Sequence, residues 1–308
     1  MVNAIGWFFA SILNAFANAF HAITHPGEWL AWLPYINKPM PTPEVKESLM
    51  RFIYYGASRE FFFVLLVIFL ILTAIGLWRR PVMWACVRGL EWFANTIGRV
   101  VAWVGLIMVI QQIVIVFLQR IFRVSQIEFG AFGIGFTRDL SWWSEELKLY
   151  NAMIVALCVT YTFVQGGHVR VDLVYSNVSY RWKKAIDMLG SLVFMVPVAA
   201  LTWLFAWSFF WRVMVVPNTS ASDTLDKLML KAKALRWNIE TIGFSPNGFD
   251  AYFLFKLLIL GFVALTFLHA IAFFYRSLLE WIEGPGSDGK YLDRDSLGAR
   301  EDAYEGTH

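Results

Sequence analysis

The sequence predicts an all-α integral membrane protein with five spanning helices. Hydrophobic residues make up 58% of the chain and charged residues only 16%, a balance typical of membrane proteins. Each spanning helix must keep about 20 mostly apolar residues in the hydrocarbon of a bilayer. The segments that meet this requirement are residues 60–78, 93–118, 143–165, 185–215 and 250–280.

The first helical segment, residues 4–24, is amphipathic. Apolar residues recur at helical spacing, whereas Asn14, Asn18 and His21 supply a polar side. The pattern leaves two arrangements open, a helix lying in the membrane interface and a helix crossing the bilayer. The first puts the N-terminus outside the cell membrane, and the second puts it inside. With no Lys or Arg near Met1 and no small-residue cleavage site, we do not expect a cleavable signal peptide.

Residues 25–58 contain five prolines and are predicted to form a connecting loop, because proline lacks an amide hydrogen and fixes φ. One short helix is expected near Glu44–Phe52. The loop leads into the span at 60–78. Together these segments make up most of residues 1–90.

The segment between the second and third predicted spans, residues 119–141, is unusual for a simple link. Aliphatic and aromatic residues interleave with Arg120, Arg123, Glu128 and Arg138. This pattern favours an amphipathic arm that lies along the periplasmic membrane surface. The alternative is a hydrophobic loop folded onto the helix bundle.

The third span, 143–165, carries a polar signature at each end. Asp139 and Ser141 are candidate caps at its start, and Glu145 and Glu146 are expected in its first turn, where negative charge suits the helix dipole. Directly after its end comes the sequence Gly-Gly-His-Val-Arg-Val-Asp-Leu. One polar motif thus begins this helix and another directly follows it, and we interpret the pair as a signature of a membrane-protein subunit.

The distribution of basic residues predicts which loops between the helices lie on the cytoplasmic side of the membrane. Basic residues are densest in two short connections, around Arg79 and Arg80 and around Lys183 and Lys184, so we place these loops and the C-terminus in the cytoplasm. The segments 119–141 and 216–249 then face the periplasm or the cell exterior. The charged residues 284–308, which include a Gly-Pro-Gly sequence, are predicted to form a flexible cytoplasmic tail.

Several classes of function are disfavoured by the sequence. It contains no phosphate-binding loop, no nucleophile elbow and no His-Glu-x-x-His zinc motif, so we expect no enzyme activity and no cofactor. A net charge of +3 with scattered basic residues does not indicate a nucleic-acid partner. Cys86 and Cys158 lie in a basic loop and in a span, so no structural disulfide is expected.

Ionisable residues near the spans do not form a row that would define an ion path. Each lies within a turn or two of a predicted boundary, where a long side chain can reach water. These residues are Arg99, Glu145, Glu146, Arg212 and Lys256. Among the histidines only His269 lies deep in a predicted span, and a two-histidine haem would need His21 to cross the membrane as well.

Three tryptophans, Trp203, Trp207 and Trp211, recur every four residues in the fourth predicted span, 185–215, and form one stripe. Packing against another helix and exposure to lipid both explain such a stripe. Pro197 in the same span predicts a kink.

The chain resembles the small, Q-type membrane subunit of tripartite ATP-independent periplasmic (TRAP) transporters at two motifs. These are Trp-Ser-Glu-Glu-Leu at residues 143–147 and Gly-Gly-His-Val-Arg-Val-Asp-Leu at residues 166–173. The resemblance covers roughly residues 90–280. It implies a four-helix transmembrane core in residues 91–283, preceded by an N-terminal extension, residues 1–90, that adds at least one spanning helix. It singles out positions for helix ends and subunit contacts, namely Trp143, Glu145, Glu146, Leu147, Gly167, His168, Arg170 and Asp172.

This resemblance implies a non-catalytic scaffold in the bacterial inner membrane. Its partners would be a large membrane subunit that binds substrate and sodium, a periplasmic substrate-binding protein, and membrane lipid. The transported molecule would be an organic anion, commonly a carboxylate. A different hypothesis, supported by His269 and the abundant aromatic residues, is a haem- or quinone-binding anchor of a redox enzyme. A channel ranks last, since no span carries a polar stripe.

Overall fold

The computed structural model describes residues 2–36, 40–131, 134–166, 177–216, 224–227, 234–235, 248–249, 251–293 and 295. Over these residues the chain is mainly α-helical, and five helices are long and apolar enough to cross a membrane. The predicted class, an all-α membrane protein, is therefore confirmed. The N-terminal helix is not among the five helices found in the described residues.

The helices follow the predicted order along the chain, and four short strands within the described residues, which were not predicted, lie between them. The helices are α1 (Val2–Thr24), α2 (Gly27–Leu30), α3 (Pro43–Gly56), α4 (Arg59–Trp78), α5 (Arg80–Phe117), α6 (Leu140–Leu157), α7 (Val159–Val164), α8 (Tyr180–Gly190), α9 (Val196–Met214) and α10 (Phe253–Glu283). The strands are β1 (Gln126–Ala131), β2 (Ile134–Asp139), β3 (Val215–Val216) and β4 (Ala234–Leu235). One π-helical turn, Leu118–Phe122, continues α5, and another, Ser191–Met195, joins α8 to α9.

Predicted and observed spans agree closely in number and place, with two differences at their ends. Helix α5 begins at Arg80 rather than near residue 93, so it is much longer than a bilayer requires. The third span begins at Leu140, which moves Glu145 and Glu146 from the first turn into the second. Asp139 stands at the N-cap without a side-chain capping bond. The short helix expected near Glu44–Phe52 is confirmed as α3.

Residues 119–141 hold a β-hairpin. After the π-helical turn, β1 and β2 pair antiparallel, with Gln126 opposite Asp139 and Ala131 opposite Ile134. The prediction of an amphipathic arm did not anticipate strands. The available signal was the alternation of Ile127 and Phe129 with polar or small residues, which has the period of a strand.

The chain divides into two compact units. The first contains Met1–Arg79 with Thr202–Ile239, and the second contains Arg80–Leu201 with Glu240–His308. The division falls at Arg79 rather than at the predicted residue 90, because the continuous helix α5 begins at Arg80. Helix α9 contains the second boundary.

In the first unit, the tryptophan stripe of α9 packs against α3. The indole nitrogen of Trp203 donates to the carbonyl of Gly56 at 2.7 Å, and that of Trp207 donates to the carbonyl of Ile53 at 2.8 Å. These carbonyls belong to the last turn of α3, where no intrahelical partner exists. A Cβ on Gly56 would overlap the Trp207 ring. The stripe therefore serves helix packing within the chain.

The stripe also closes an aromatic cluster in the first unit. Trp211 is buried and packs edge-on against Trp32 and Phe52, at ring-centroid distances of 5.9 Å each. Separately, Trp7 of α1 contacts Phe63 of α4 edge-on, at 5.6 Å. Because large aromatic side chains bury much apolar area, these contacts hold the first unit together.

The second unit is a helical bundle in which α5 packs against α6, α7 and α10, and α10 also packs against α8. Helices α5 and α7 cross closely at Gly98, where a Cβ would overlap the Cβ of Tyr161. Helix α6 stops at Leu157, and α7 starts after Cys158, whose thiol lies 3.7 Å from the Gly98 carbonyl oxygen. Gly98, which has no side chain, therefore determines how closely α5 and α7 approach each other.

The residues after α10 fold back onto the second unit instead of forming the expected flexible tail. We call Gly284–Asp293 together with Asp295 the strap. A 3-10 turn at Pro285–Ser287 reverses the chain, and the strap then contacts α5, α7, α8 and α10. Its acidic side chains find basic partners on the helices, which composition alone could not reveal. Residues 296–308 lie outside the described residues.

Candidate functional site

The Trp-Ser-Glu-Glu-Leu segment lies on α6, where Glu145 joins α6 to the residues just before α10. Its carboxylate accepts a hydrogen bond from the backbone amide of Phe249 at 2.8 Å. Burial and the neighbouring Glu145 charge raise the pKa of Tyr252, which directly precedes α10. Trp142 reinforces this junction, since its ring contacts Phe249 at 5.2 Å. Glu145 therefore fixes a helix end.

Glu146 points to a different neighbour and joins α6 to α5. Its carboxylate accepts a hydrogen bond from the Gln111 amide at 3.2 Å and from the Tyr150 hydroxyl at 3.1 Å. The same Gln111 amide also donates to the carbonyl of Trp143 at 3.3 Å. The Trp143 and Leu147 side chains are half-buried on α6. The two adjacent carboxylates thus bind two separate elements of the bundle.

Gly167, His168, Arg170 and Asp172, the predicted residues of the second motif, lie outside the described residues, so their prediction stays a prediction. The residue just before the motif is informative, however. The side chain of Gln165 donates to the carbonyl of Asp293 at 3.0 Å and accepts from the backbone amide of Asp295 at 2.9 Å. The motif therefore starts where the strap is anchored.

Arg99 of α5 is the main anchor of the strap. Its guanidinium group binds both carboxylate oxygens of Asp293 at 3.0 Å and one oxygen of Asp295 at 2.8 Å. The Asn95 amide also donates to Asp293, and the Tyr161 hydroxyl donates to Asp295. The Arg99 side chain is 40% exposed, in keeping with a position near a span boundary, and its charge is also paired with the strap.

These contacts favour the charged forms of both strap carboxyl groups. Arg99 and then Asn95 lower the pKa of Asp293 below its usual value of 3.8, and Tyr161 and then Arg99 lower that of Asp295. A group whose pKa is lower in the folded state stabilises that state above its unfolded pKa. The stabilisation is lost as the pH falls from about 3.8 through the lowered values.

We predict that Arg99→Gln releases the strap at neutral pH. Hydrogen exchange of the backbone amides in 288–293 should become faster, because two ion pairs, one of them bidentate, are lost. The matched control is Arg59→Gln, which removes the exposed pair with Glu60 in the first unit and should leave this exchange unchanged. In the wild-type chain, exchange corrected for its intrinsic pH dependence should rise only below about pH 3.8. Unchanged exchange in Arg99→Gln would contradict the role of the anchor.

A buried charged cluster, which sequence reasoning missed, lies beside the strap. Arg276 of α10 makes two hydrogen bonds of 2.6 Å with the two oxygens of Glu91 on α5. Its neighbour one turn on, Glu280, forms an ion pair of 2.6 Å with Lys184 of α8. The side chains of Glu91, Arg276 and Glu280 are each less than 10% exposed. The i, i+4 placement of Arg276 and Glu280 inside a long apolar helix was the available signal.

Lys184 extends this cluster to the strap. Its ammonium group also binds Asp288 at 2.9 Å, and the carboxylate of Glu280 accepts from the strap amide of Gly289 at 3.2 Å. Arg276 donates to the carbonyl of Lys290 at 3.0 Å. The strap is therefore held along its length by backbone and side-chain contacts.

The remaining predicted ionisable residues do not gather into a site. His269 is buried on α10 and lies between the rings of Phe163 and Phe273, at 5.3 and 6.2 Å. Lys256 is buried and Arg212 is exposed. Over the described ranges, no group of three or more histidine, cysteine, aspartate and glutamate side chains is placed to hold a metal ion.

Comparisons with protein families, with curated proteins and with solved structures found no match for this chain. Its function must therefore be argued from the geometry and from the sequence motifs.

Proposed function

We propose that this chain is the small membrane subunit of a TRAP transporter and acts as a non-catalytic scaffold for the large subunit. The large subunit would bind sodium and substrate, and a periplasmic binding protein would deliver an organic anion. Uptake would be driven by the ion gradient. The resemblance of residues 143–147 and 166–173 to that subunit motivates the proposal.

The observation that best supports a scaffold role is that the carboxylates near and within the spans are bound to partners within the chain. Glu145 holds the start of α10, Glu146 holds α5, and Glu91 is bound by Arg276. Carboxylates bound in this way hold helices at fixed positions, whereas a transported ion needs ligands that exchange. The arrangement supports a rigid scaffold, against which a partner subunit can move.

Affinity purification of the tagged chain from its native membrane, in mild detergent, tests the proposal. We expect a larger polytopic membrane protein to be recovered with it, and clean deletion of the chain to abolish uptake while the binding protein still binds substrate. Unimpaired uptake after deletion would refute the scaffold role.

A double variant, Glu145→Ala with Glu146→Ala, tests in the same experiment whether the two carboxylates of α6 are needed for assembly with the partner. Because it frees both junctions of α6, we expect partner recovery to fall about tenfold while the amount inserted in the membrane changes little. Glu60→Ala, on the exposed pair with Arg59, is the matched control and should recover the partner normally. Equal recovery in both variants would argue against a role of α6 in assembly.

The second hypothesis, a redox anchor, keeps one supporting observation. His269 lies buried between two aromatic rings, a setting in which haem or quinone could pack. A Soret band in the visible spectrum of the purified chain, or recovery of a soluble redox protein, would favour it over the scaffold.

A further inference from the structure

The second unit contains a half-open cavity of about 540 Å³ beside the strap. Side chains of α5, α7, α8 and α10 line it, and strap residues Asp288, Gly289 and Leu292 border it. Its volume lies within the range typical of small-molecule sites, and its lining combines apolar with charged groups. The proposed scaffold role gives this cavity no task.

The cavity is apolar at one end and charged at the other. On α10, the lining residues His269, Phe273 and Glu280 lie on one helix face, and the first and last are roughly 16 Å apart along the axis. Phe163, His269 and Phe273 form a stack of rings at the first end. Glu280, with Lys184 and Asp288, lies at the other end. Such a shape fits an amphiphile with a polar head.

The charges at the polar end select the kind of head group. The described lining side chains include four carboxylates and two cations, namely Glu91, Asp187, Glu280, Asp288, Lys184 and Arg276. Both cations are already engaged, since Lys184 binds two carboxylates and Arg276 binds Glu91, Glu280 and a carbonyl. An anionic head group would have to displace these pairs. An ammonium group instead adds donors to carboxylate oxygens, each of which accepts more than one hydrogen bond.

We propose that this cavity binds an amphiphile with a primary ammonium head group, with its apolar part against the rings of Phe163, His269 and Phe273. The ammonium would lie at Asp288 and Glu280, next to the strap. A membrane aminophospholipid and a soluble short-chain amine share this head-group chemistry. The bound ligand would stabilise the strap against α8 and α10, because it contacts both sides of the cavity.

Binding to the purified, delipidated chain tests the proposal without any transport measurement, so its outcome is separate from that of the scaffold role. The probes are phosphatidylethanolamine, phosphatidylcholine, phosphatidylglycerol and free ethanolamine, followed by native mass spectrometry and thermal unfolding. We expect phosphatidylethanolamine to bind and raise the unfolding temperature. Phosphatidylcholine, whose ammonium has no N–H donor, should bind at least tenfold more weakly.

Two variants locate the binding. Asp288→Asn removes the charge at the cavity border and should weaken phosphatidylethanolamine binding about tenfold, the usual loss for one hydrogen bond to a charged group. Leu292→Trp adds bulk to the border and should block binding while the strap stays in place. Glu60→Gln, in the first unit, is the control and should bind as the wild-type chain does.

The other probes distinguish a lipid ligand from a soluble amine, and a cationic head group from an anionic one. Saturation by ethanolamine at the lipid's affinity would assign the site to soluble amines. Tighter binding of phosphatidylglycerol than of phosphatidylethanolamine would overturn the proposal, as would equal binding by the wild-type chain and both cavity variants.

Discussion

Replacing Gly98 by alanine should strongly destabilise the second unit. The added Cβ would overlap the Cβ of Tyr161, which is fixed to its own backbone, so α5 and α7 must move apart. Overpacking of a tight contact typically costs about 1–3 kcal/mol, and here the cost should lie at the upper end. The separation also pulls Tyr161 from Asp295 and loosens the strap. The free energy of unfolding in detergent measures the effect.

The same helix offers a matched control for this substitution. Gly105, two turns further along α5, would place a Cβ 3.6 Å from the side chain of Ile154, which is ordinary van der Waals contact. Gly105→Ala should therefore be neutral, or slightly stabilising, because alanine favours a helix by about 1 kcal/mol over glycine. Equal stability of the two variants would mean that the crossing at Gly98 is not a tight contact in solution.

The spanning helices could be predicted from the sequence because hydropathy is a local property. A run of about 20 apolar residues can be recognised without knowledge of the rest of the fold. All five predicted spans correspond to helices of the structure. The ends were less predictable. Helix α5 begins at Arg80, well before the apolar run, and Glu91 in this added part is polar in sequence but is paired with Arg276 in the fold.

The contacts that shape the site are mostly distant in sequence. Arg99 and Asp293 are nearly two hundred residues apart, and so are Glu91 and Arg276, so no pattern within one segment could pair them. The tail looked flexible because charged residues usually remain in water. The tryptophan stripe was visible, but its partner α3 was not, since indole groups pack equally well against lipid and helices.

The two polar junctions of α6 and the strap give the second unit its particular form. Glu145 and Glu146 fix the first end of α6 to α10 and α5. At the end of α7, Gln165 and Tyr161 hold the strap. The α6–α7 pair is thus anchored at both ends by groups that need specific partners. Apolar packing alone discriminates poorly between helix registers in a membrane, so these polar contacts supply the register.

The largest effect of all is expected for Arg276→Met, which leaves Glu91 buried without its ion-pair partner. The substitution keeps much of the side-chain volume, but it removes two hydrogen bonds of 2.6 Å and the charge that neutralises a carboxylate 6% exposed. Breaking a buried pair by removing one member typically costs about 3–5 kcal/mol. The contacts of Arg276 to Glu280 and to the Lys290 carbonyl are lost as well. The free energy of unfolding should fall by about that amount.

A second substitution identifies the cause of this loss. Adding Glu91→Gln to Arg276→Met removes the unpaired charge, so the double variant should recover part of the lost stability, about 1–3 kcal/mol. Arg59→Met, on a pair in which the arginine side chain is 71% exposed, should change the free energy of unfolding by less than about 1 kcal/mol. No recovery in the double variant would place the loss elsewhere, in the contacts of Arg276 with Glu280 and the strap rather than in the stranded carboxylate.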